Sequence, residues 1–576
     1  MRFKNETKVL KLYAVAGTQT VLLSFDIDRK KLDGQQFMGF AIERTDSKGS
    51  KISLNGSKHF TSLAQNPKPA IKNTSLVQSF YWQDYEADPG ETYTYSIQPM
   101  FGTAINHSPK YTNSIKVTTE KLHDGTHSVF FNFGVTGSQG YAANKEFGNK
   151  NINSLSGKAR EHALAYLGRD LWTEGLLKFV RQATNKTYSI YGAFYEFVLP
   201  EFLSEIKAAK QRGVDIQLVV SGKADQYSDH TNPKTGVTTP GSKTMIAKYG
   251  LTKNVKGIRT KPSSPHNKFM VLCENGKPTQ VWTGSTNITQ SGVFGHCNTG
   301  HWIKNAAIAK EYLRYWNALL GDPAMTTVAQ TSVAIEADTD LSKLGKGAYV
   351  FFSPRDLPEP QDKTPAPHLL NYAKLIDKAH ELVCMVFPFN YDDVFDNVFR
   401  KDHTFLRFLL FESPTQAKKS EAKSNDTNLK VTAGAVYKGK EKNWIKEVTS
   451  KTVAGSQHVL YVHNKFFIID PLTDHPIVLT GSANFSNNSI RNNDENSILI
   501  KGDPRVADIY LTEFDRLFVH FWPRYLAEIK PKSKQPIGFA KPLDETYTWH
   551  KDYFDKKKFG YKRKILFVGM AGARKS

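Results

Sequence analysis

Short runs of alternating apolar and polar residues fill the first fifth of the chain. Val21-Leu22-Leu23-Ser24-Phe25, Gly39-Phe40-Ala41-Ile42 and Thr92-Tyr93-Thr94-Tyr95-Ser96-Ile97 keep a period of two, with turn residues such as Leu32-Asp33-Gly34 and Asp88-Pro89-Gly90 between the runs. That rhythm predicts half-buried strands and an all-β unit over residues 1–122. Residues 123–165 are rich in Gly, Asn and Ser and read as a connector. The period then lengthens. Leu176, Leu177, Phe179 and Val180 fall at helical spacing, and Tyr188 to Phe194 forms an apolar strand. A helix from about 200 to 211 stops at Gly213, the residue type favoured just past a helix end, and 214–220 is the next strand. An aromatic-rich helix over 310–320 closes this stretch. A similar order follows: helix 369–380, strands 383–387, 405–411 and 496–500, then a long amphipathic helix over 506–521. Strands alternating with helices predict buried mixed sheets flanked by helices.

The second series carries the same wording as the first. His266-Asn267-Lys268-Phe269-Met270 precedes Thr283-Gly284-Ser285-Thr286-Asn287, and His463-Asn464-Lys465-Phe466-Phe467 precedes Thr480-Gly481-Ser482-Ala483-Asn484, every matched pair 197 positions apart. A lone repeated motif would not bring its flanking strands and helix along, so the pattern predicts an internal duplication. We place lobes at 166–330 and 331–530 and a basic C-terminal segment, packing on the lobes, at 531–576. The stretch Asp88-Pro89-Gly90-Glu91-Thr92-Tyr93 resembles the corner before a late strand of a fibronectin type III domain, which implies an immunoglobulin-like sandwich over residues 1–122.

Composition narrows the partners. The 576 residues exceed one core, and 39% hydrophobic content argues for folded domains. A formal charge of +22 favours a polyanion, either nucleic acid or an anionic membrane surface. Basic residues concentrate in 418–446 and 530–576; they read as solvated surface or a contact face for a phosphate-bearing substrate. Three cysteines build no disulfide framework and fit a reducing compartment. With neither a signal peptide nor an apolar run long enough to span a bilayer, we expect a cytoplasmic protein with at most peripheral membrane contact.

The repeated residues read as an anion cradle. A lysine two positions after a histidine on a strand shares its face, and a distant Ser and Asn add neutral donors suited to phosphate oxygens. Two half-cradles facing each other put an imidazole on either side of a phosphorus, as in-line displacement requires. On these residues the chain resembles the phospholipase D superfamily, whose signature is His-x-Lys, a later Asp, then Gly-Ser-x-Asn. The likeness extends over about 125–570, through Phe131-Asn132-Phe133-Gly134, Leu511-Thr512-Glu513-Phe514 and Trp549 with Tyr553-Phe554. It implies a pair of α/β phospholipase D-like lobes completing one site in a monomer, without metal or other cofactor, and a phosphohistidine intermediate. By position, His266 and His463 are the catalytic pair with Lys268, Lys465 and Glu495. Asn287 and Asn484, supported by Ser285 and Ser482, bind phosphate, and Asp470 is structural.

Copy one departs from the family pattern twice. Cys273 stands where copy two has Asp470, and, allowing a short gap, Gly300 stands where copy two has Glu495, the carboxylate that orients a histidine. If Glu495 lies beside His463, that imidazole is the protonated partner and His266, close to two lysines, is the neutral nucleophile. Cys273, His296, Cys297 and His301 lack the spacing of a zinc site. The resemblance covers phospholipases and nucleases alike. The duplicated single chain favours hydrolysis of a phospholipid headgroup, possible transfer to an alcohol included; metal-independent cleavage of DNA or RNA is the alternative, and a non-catalytic binding protein a third reading.

Overall fold

Two seven-stranded mixed sheets form the body of the computed structural model, which describes all residues except 57, 65–74, 149, 235, 337–339, 356, 358–363, 422–425, 437–449, 456–458 and 530–540. The first sheet runs His127–Phe131, Thr299–Ile303, Lys277–Gly284, Lys268–Glu274, Tyr188–Phe194, Asp215–Ser221, Val255–Arg259. The second runs Gly347–Ser353, Glu495–Lys501, Ile477–Gly481, Phe466–Ile469, Leu382–Phe387, Leu406–Phe411, Leu429–Ala433. In each, the first four pairings are antiparallel and the last two parallel. Central strands such as Lys268–Glu274 are apolar almost throughout because both faces are covered.

One core lies between the sheets. Phe269, Val271 and Val281 from the first meet Phe466, Ile468 and Val478 from the second. Helices Ala306–Ala318 and Pro504–Ile529 contribute to it: Tyr315 stacks on Phe352 at 4.2 Å between centroids, and Tyr510 lies 5.2 Å from Phe466 and 5.5 Å from Phe131. The two halves are therefore packed as one body, which lets side chains of one complete the site of the other.

A buried ion pair joins them beside that site. Arg259 Nε donates to Asp494 at 2.8 Å, and its Nη1 reaches Asp322 at 2.9 Å. Removing one member of such a pair strands the other charge away from water. Arg259→Met is expected to lower stability by about 3 kcal/mol, seen as a drop in urea midpoint and thermal transition.

The N-terminal β-rich region has two sheets. One is ordered Arg574–Lys575, Arg2–Glu6, Leu10–Ala16, Val21–Ile27, Tyr81–Asp84; in the other, Phe37–Thr45 and Thr92–Thr103 pair centrally, with Lys51–Ser53, Asn106–Pro109 and Asn113–Thr118 beside them. Its core holds Leu12, Phe25, Phe40, Tyr95 and Ile115. Arg2 binds Asp508 at 2.9 Å and Tyr81 binds Asp515, tying the region to helix Pro504–Ile529.

Residues 123–165, read from composition as a connector, supply the edge strand His127–Phe131 and most of helix Gly157–Asp170. The described part of the C-terminal segment, expected on the lobes, packs on both the second lobe and the N-terminal region: Phe559 lies 5.6 Å from Phe408, and Trp549 lies 5.1 Å from Phe37 and 5.7 Å from Phe80. Three of its cations bond within the chain, Arg563 to Asp515, Lys564 to Asp26 and Lys562 to Asn428. Much of the basic stretch 418–446 lies outside the described residues.

Candidate active site

Each signature places its histidine just before a central strand and its Gly-Ser at the end of the next. Gly284 and Gly481 adopt φ of 146° and 153°, and a Cβ at either would collide with the carbonyl oxygen of Thr299 or Asn496. That close approach is why the motif needs glycine. It also seats Ser285 N–H on Thr299 O at 3.0 Å and Ser482 N–H on Asn496 O at 2.9 Å.

The histidines are oriented crosswise. His266 Nδ1 lies 2.9 Å from Glu495 Oε2, a residue of the second half. His463 Nδ1 lies 3.1 Å from Asn298 Oδ1 and 3.1 Å from Ser285 O, both of the first half. This corrects two expectations. Glu495 serves His266, not His463, and its counterpart is Asn298, not Gly300: Glu495 and Asn298 stand at the same 197-residue offset as the histidines, without a gap. Neighbouring segments explain the crossing, since Ser264 pairs with Asn493 and Cys297 with Val462 as short parallel bridges between the halves. Asn496 Nδ2 donates to Asn267 at 2.9 Å and Asn464 Nδ2 to Thr299 at 2.7 Å, again at equivalent positions.

The serines take another role than the one expected. Ser482 Oγ donates to Glu495 at 2.6 Å and Ser285 Oγ to Asn298 at 2.8 Å. Fully buried, they hold the partners of the histidines, and their hydroxyls are not offered to a phosphate. Asn287 and Asn484 stand at matching places in the two halves. Among the described residues the Oδ1 of each is buried without a partner; that atom accepts, so only the amide N–H groups could meet a phosphate oxygen. Asn287 also binds Glu196.

Lys268 Nζ donates to His266 O at 2.7 Å and Lys465 Nζ to His463 O at 2.9 Å, so both ammonium groups curl back over their own signature. Beneath each lies an aromatic ring that periodicity alone did not flag. Lys268 sits 5.1 Å over Tyr195, which packs 4.8 Å from His266. Lys465 sits 5.8 Å from Phe389, which packs 6.0 Å from His463. A third imidazole, His296, lies 5.0 Å from His463.

Burial sets the charges. It pushes His266 down to about 4, with Glu495 opposing and Lys268 and Lys465 assisting. His463 falls well below the ordinary imidazole range through burial, then Lys465, His296, Lys268 and His266. Burial also takes Lys268 down to about 7 and Lys465 well below its usual value. Both imidazoles are thus neutral near pH 7, with Nδ1–H directed at an acceptor and Nε2 left with its lone pair.

Asp470 stands apart from the imidazoles. It accepts the backbone N–H of His380 at 2.9 Å and Glu381 at 2.8 Å, fixing the start of strand Leu382–Phe387. Cys273 at the matching place is a buried core residue, so the substitution removes a strand anchor and leaves the histidines untouched. The other members of the zinc-like set are dispersed: His301 contacts His127 at 2.9 Å and Tyr510 at 3.1 Å, while Cys297 faces Phe133. Among the described residues no group of three or more His, Cys, Asp or Glu could hold a metal ion, and no helix is long and apolar enough to cross a membrane.

A family model described as "Cardiolipin synthase, PLD-like domain" matches residues 176–320 and 415–518. The mitochondrial cardiolipin hydrolase of Homo sapiens is 33% identical over 95 residues, 16% of this chain and 35% of that protein. The Mus musculus enzyme of the same name is 37% identical over 71 residues, 12% and 30%. The chain thus spans about a third of the length of these curated relatives. Among solved structures, phosphatidylserine synthase of Haemophilus influenzae Rd KW20 aligns over 60% of this chain and 84% of its own, at 15% identity and TM-score 0.38. Nuc of Salmonella typhimurium, a phospholipase D family member, aligns over 25% and 83%, at 25% identity and TM-score 0.19.

Proposed function

This chain belongs to the phospholipase D superfamily, and we propose that it is a phosphodiesterase that cleaves phospholipid headgroups through a phosphohistidine on His266. The observation that carries the reading is the unequal crossed pairing of the histidines. Glu495 can take the Nδ1–H of His266 and stabilise the positive charge that grows on this imidazole as Nε2 attacks. Asn298, which is neutral, offers His463 orientation without that stabilisation. Nucleophilicity therefore falls to His266, for a reason opposite to the one the sequence suggested.

In the first step the His266 Nε2–P bond forms as the P–O bond to the leaving alcohol breaks, and His463 gives that oxygen a proton from Nε2. His463 takes this proton on Nε2 from solvent as the anionic substrate enters, whose charge offsets Lys268 and Lys465. In the second step water adds to phosphorus, the N–P bond breaks, and His463 takes the water's proton. An alcohol in place of water would give transfer. Lys268, Lys465, Asn287 and Asn484 hold the non-bridging oxygens. Each half supplies the partner of the other's histidine, so we read the protein as a monomer with a complete site. We also read the sheets as a duplicated unit, because strand order and sense agree, and the N-terminal region as a fibronectin type III-like module. Asp88 N–H donates to Tyr93 Oη at 2.9 Å there, a bond of the tyrosine-corner kind.

The phospholipid reading rests on the cardiolipin chemistry in the names of the matched family model and relatives. Purified protein would be offered vesicles of phosphatidylcholine, phosphatidylethanolamine or cardiolipin, and single- and double-stranded DNA and RNA, each with and without chelator. Headgroup release that chelator does not change is expected. Nucleic-acid cleavage with no headgroup release would replace this reading with the nuclease one.

The pKa values also predict a pH profile. His266 is depressed to about 4, so the nucleophile is lost only as pH falls through that value. Lys268 is depressed to about 7, so its grip on phosphate is lost as pH rises through that value. Since kcat/KM reports groups of the free enzyme, and His463, the acid, is held there well below the ordinary imidazole range, kcat/KM is expected to fall as pH rises toward neutrality, with a further loss through about pH 7 as Lys268 deprotonates, and to fall again below about pH 4 as His266 protonates. Initial rates across buffers of constant ionic strength check this.

A further inference from the structure

His296 belongs to neither signature, yet its ring lies 5.0 Å from that of His463 and is 4% exposed. Its hydrogen bonds fix its tautomer. Asn298 Oδ1 accepts from Ser285 Oγ at 2.8 Å and from His463 Nδ1 at 3.1 Å, so the amide nitrogen must donate on its other side. It has two acceptors there, Gly292 O at 2.7 Å and His296 Nδ1 at 2.8 Å. His296 Nδ1 therefore carries the lone pair, and the ring proton sits on Nε2. Among the described residues that atom has no hydrogen-bond partner, and it is not one of the fully buried polar atoms left unpaired, so it meets solvent. The network thus holds an imidazole N–H donor, ready made, beside His463.

The other half offers no equivalent. The matching residue is Asn493, whose Nδ2 donates to Glu495 at 3.1 Å and whose Oδ1 accepts from Asn488 at 3.3 Å. Both ends of that amide are occupied by protein. We infer that His296 is a substrate-contacting residue whose Nε2–H donates to an oxygen of the bound phosphodiester on the His463 side, where the leaving group departs. This rests on the phosphodiesterase reading. The donor remains neutral across working pH, because burial and Lys465 take His296 down to about 3. A fixed neutral donor suits charge that develops on oxygen, since it needs no reorganisation as the bond breaks.

Three variants separate this role from packing. Glutamine places its amide nitrogen near the position of Nε2, asparagine reproduces only Nδ1, and leucine reproduces neither. His296→Leu and His296→Asn are each expected to lose roughly 10²-fold in kcat/KM, whereas His296→Gln should stay within about tenfold of wild type. Titration calorimetry with orthovanadate, independent of turnover, should show the same ranking in affinity, with thermal transitions close to wild type. Rescue by asparagine and not glutamine would assign His296 to holding Asn298 and overturn the donor role, as would a leucine variant with wild-type rate and vanadate affinity. A wild-type protein that bound no oxyanion would sink the phosphodiesterase reading and this inference with it. Normal wild-type binding and turnover with indifferent His296 variants would sink this inference alone.

Discussion

His266→Asn is expected to abolish turnover, lowering kcat by about 10⁴-fold or more, because an amide cannot form the covalent intermediate. The replacement keeps a polar group near Glu495, so the fold should survive and the thermal transition should stay near that of wild type. His463→Asn is expected to behave differently. It removes the proton donor for the leaving oxygen, so its cost depends on the leaving group. A phosphodiester with a nitrophenol leaving group needs little help from an acid, whereas an alkoxide needs much. Rates for two such substrates with each variant distinguish the roles. His266→Asn should be equally dead on both, and His463→Asn should recover a large part of its activity on the nitrophenyl ester. Equal losses for the two variants on both substrates would contradict the assignment.

The second large effect is expected from Glu495→Gln, a change of one atom that should cost about 10³–10⁴ in kcat, the scale known for carboxylate-to-amide changes behind a catalytic imidazole. Glu495 receives Ser482 Oγ at 2.6 Å and Asn493 Nδ2 at 3.1 Å as well as facing His266. An amide placed there turns its NH₂ toward at least one of these three groups. If it faces His266 Nδ1, the imidazole must shift its proton to Nε2 and loses the lone pair that attacks. If it faces Asn493, an oxygen still lies toward His266 and Ser482, and His266 keeps its tautomer but has no charge to balance an imidazolium. Either way kcat falls, while KM should change little because the phosphate-binding lysines and asparagines stay in place. A variant with near-normal kcat would show that the His266–Glu495 contact has no part in the chemistry.

Much of this site could be read in the sequence because it is written twice. The 197-residue offset located both His-x-Lys pairs and both Gly-Ser segments, and the matching flanks foretold sheets of similar make. The crossing could not be read the same way. A strand register says which residues share a face, but not that the loop before Asn298 runs beside the loop before His463. No gap is needed opposite Glu495: the same offset leads to Asn298, the partner of His463. The role of Ser285 and Ser482 is not legible in the sequence, because a hydroxyl in a phosphate-binding motif suits phosphate as well as it suits a buried carboxylate or amide. Only their neighbours decide. Tyr195, Phe389 and His296 carried no periodic signal at all, since each lies in a loop whose position depends on the packed sheets. In the terminal regions composition misled. Residues 123–165 look like a linker yet hold the edge strand His127–Phe131, and the basic residues Lys562, Arg563 and Lys564 are used to fasten the chain to itself.

Attack on phosphorus by the Glu495-paired histidine is open to direct observation. Rapid-quench mass spectrometry during turnover, under denaturing and non-acidic conditions that preserve a P–N bond, would locate the covalent intermediate on one peptide or the other. A phosphoryl-substrate adduct is expected on the peptide containing His266, accumulating further in His463→Asn when the substrate is the nitrophenyl ester, and missing from His266→Asn. An adduct on the His463 peptide would contradict the assignment of His266 as nucleophile.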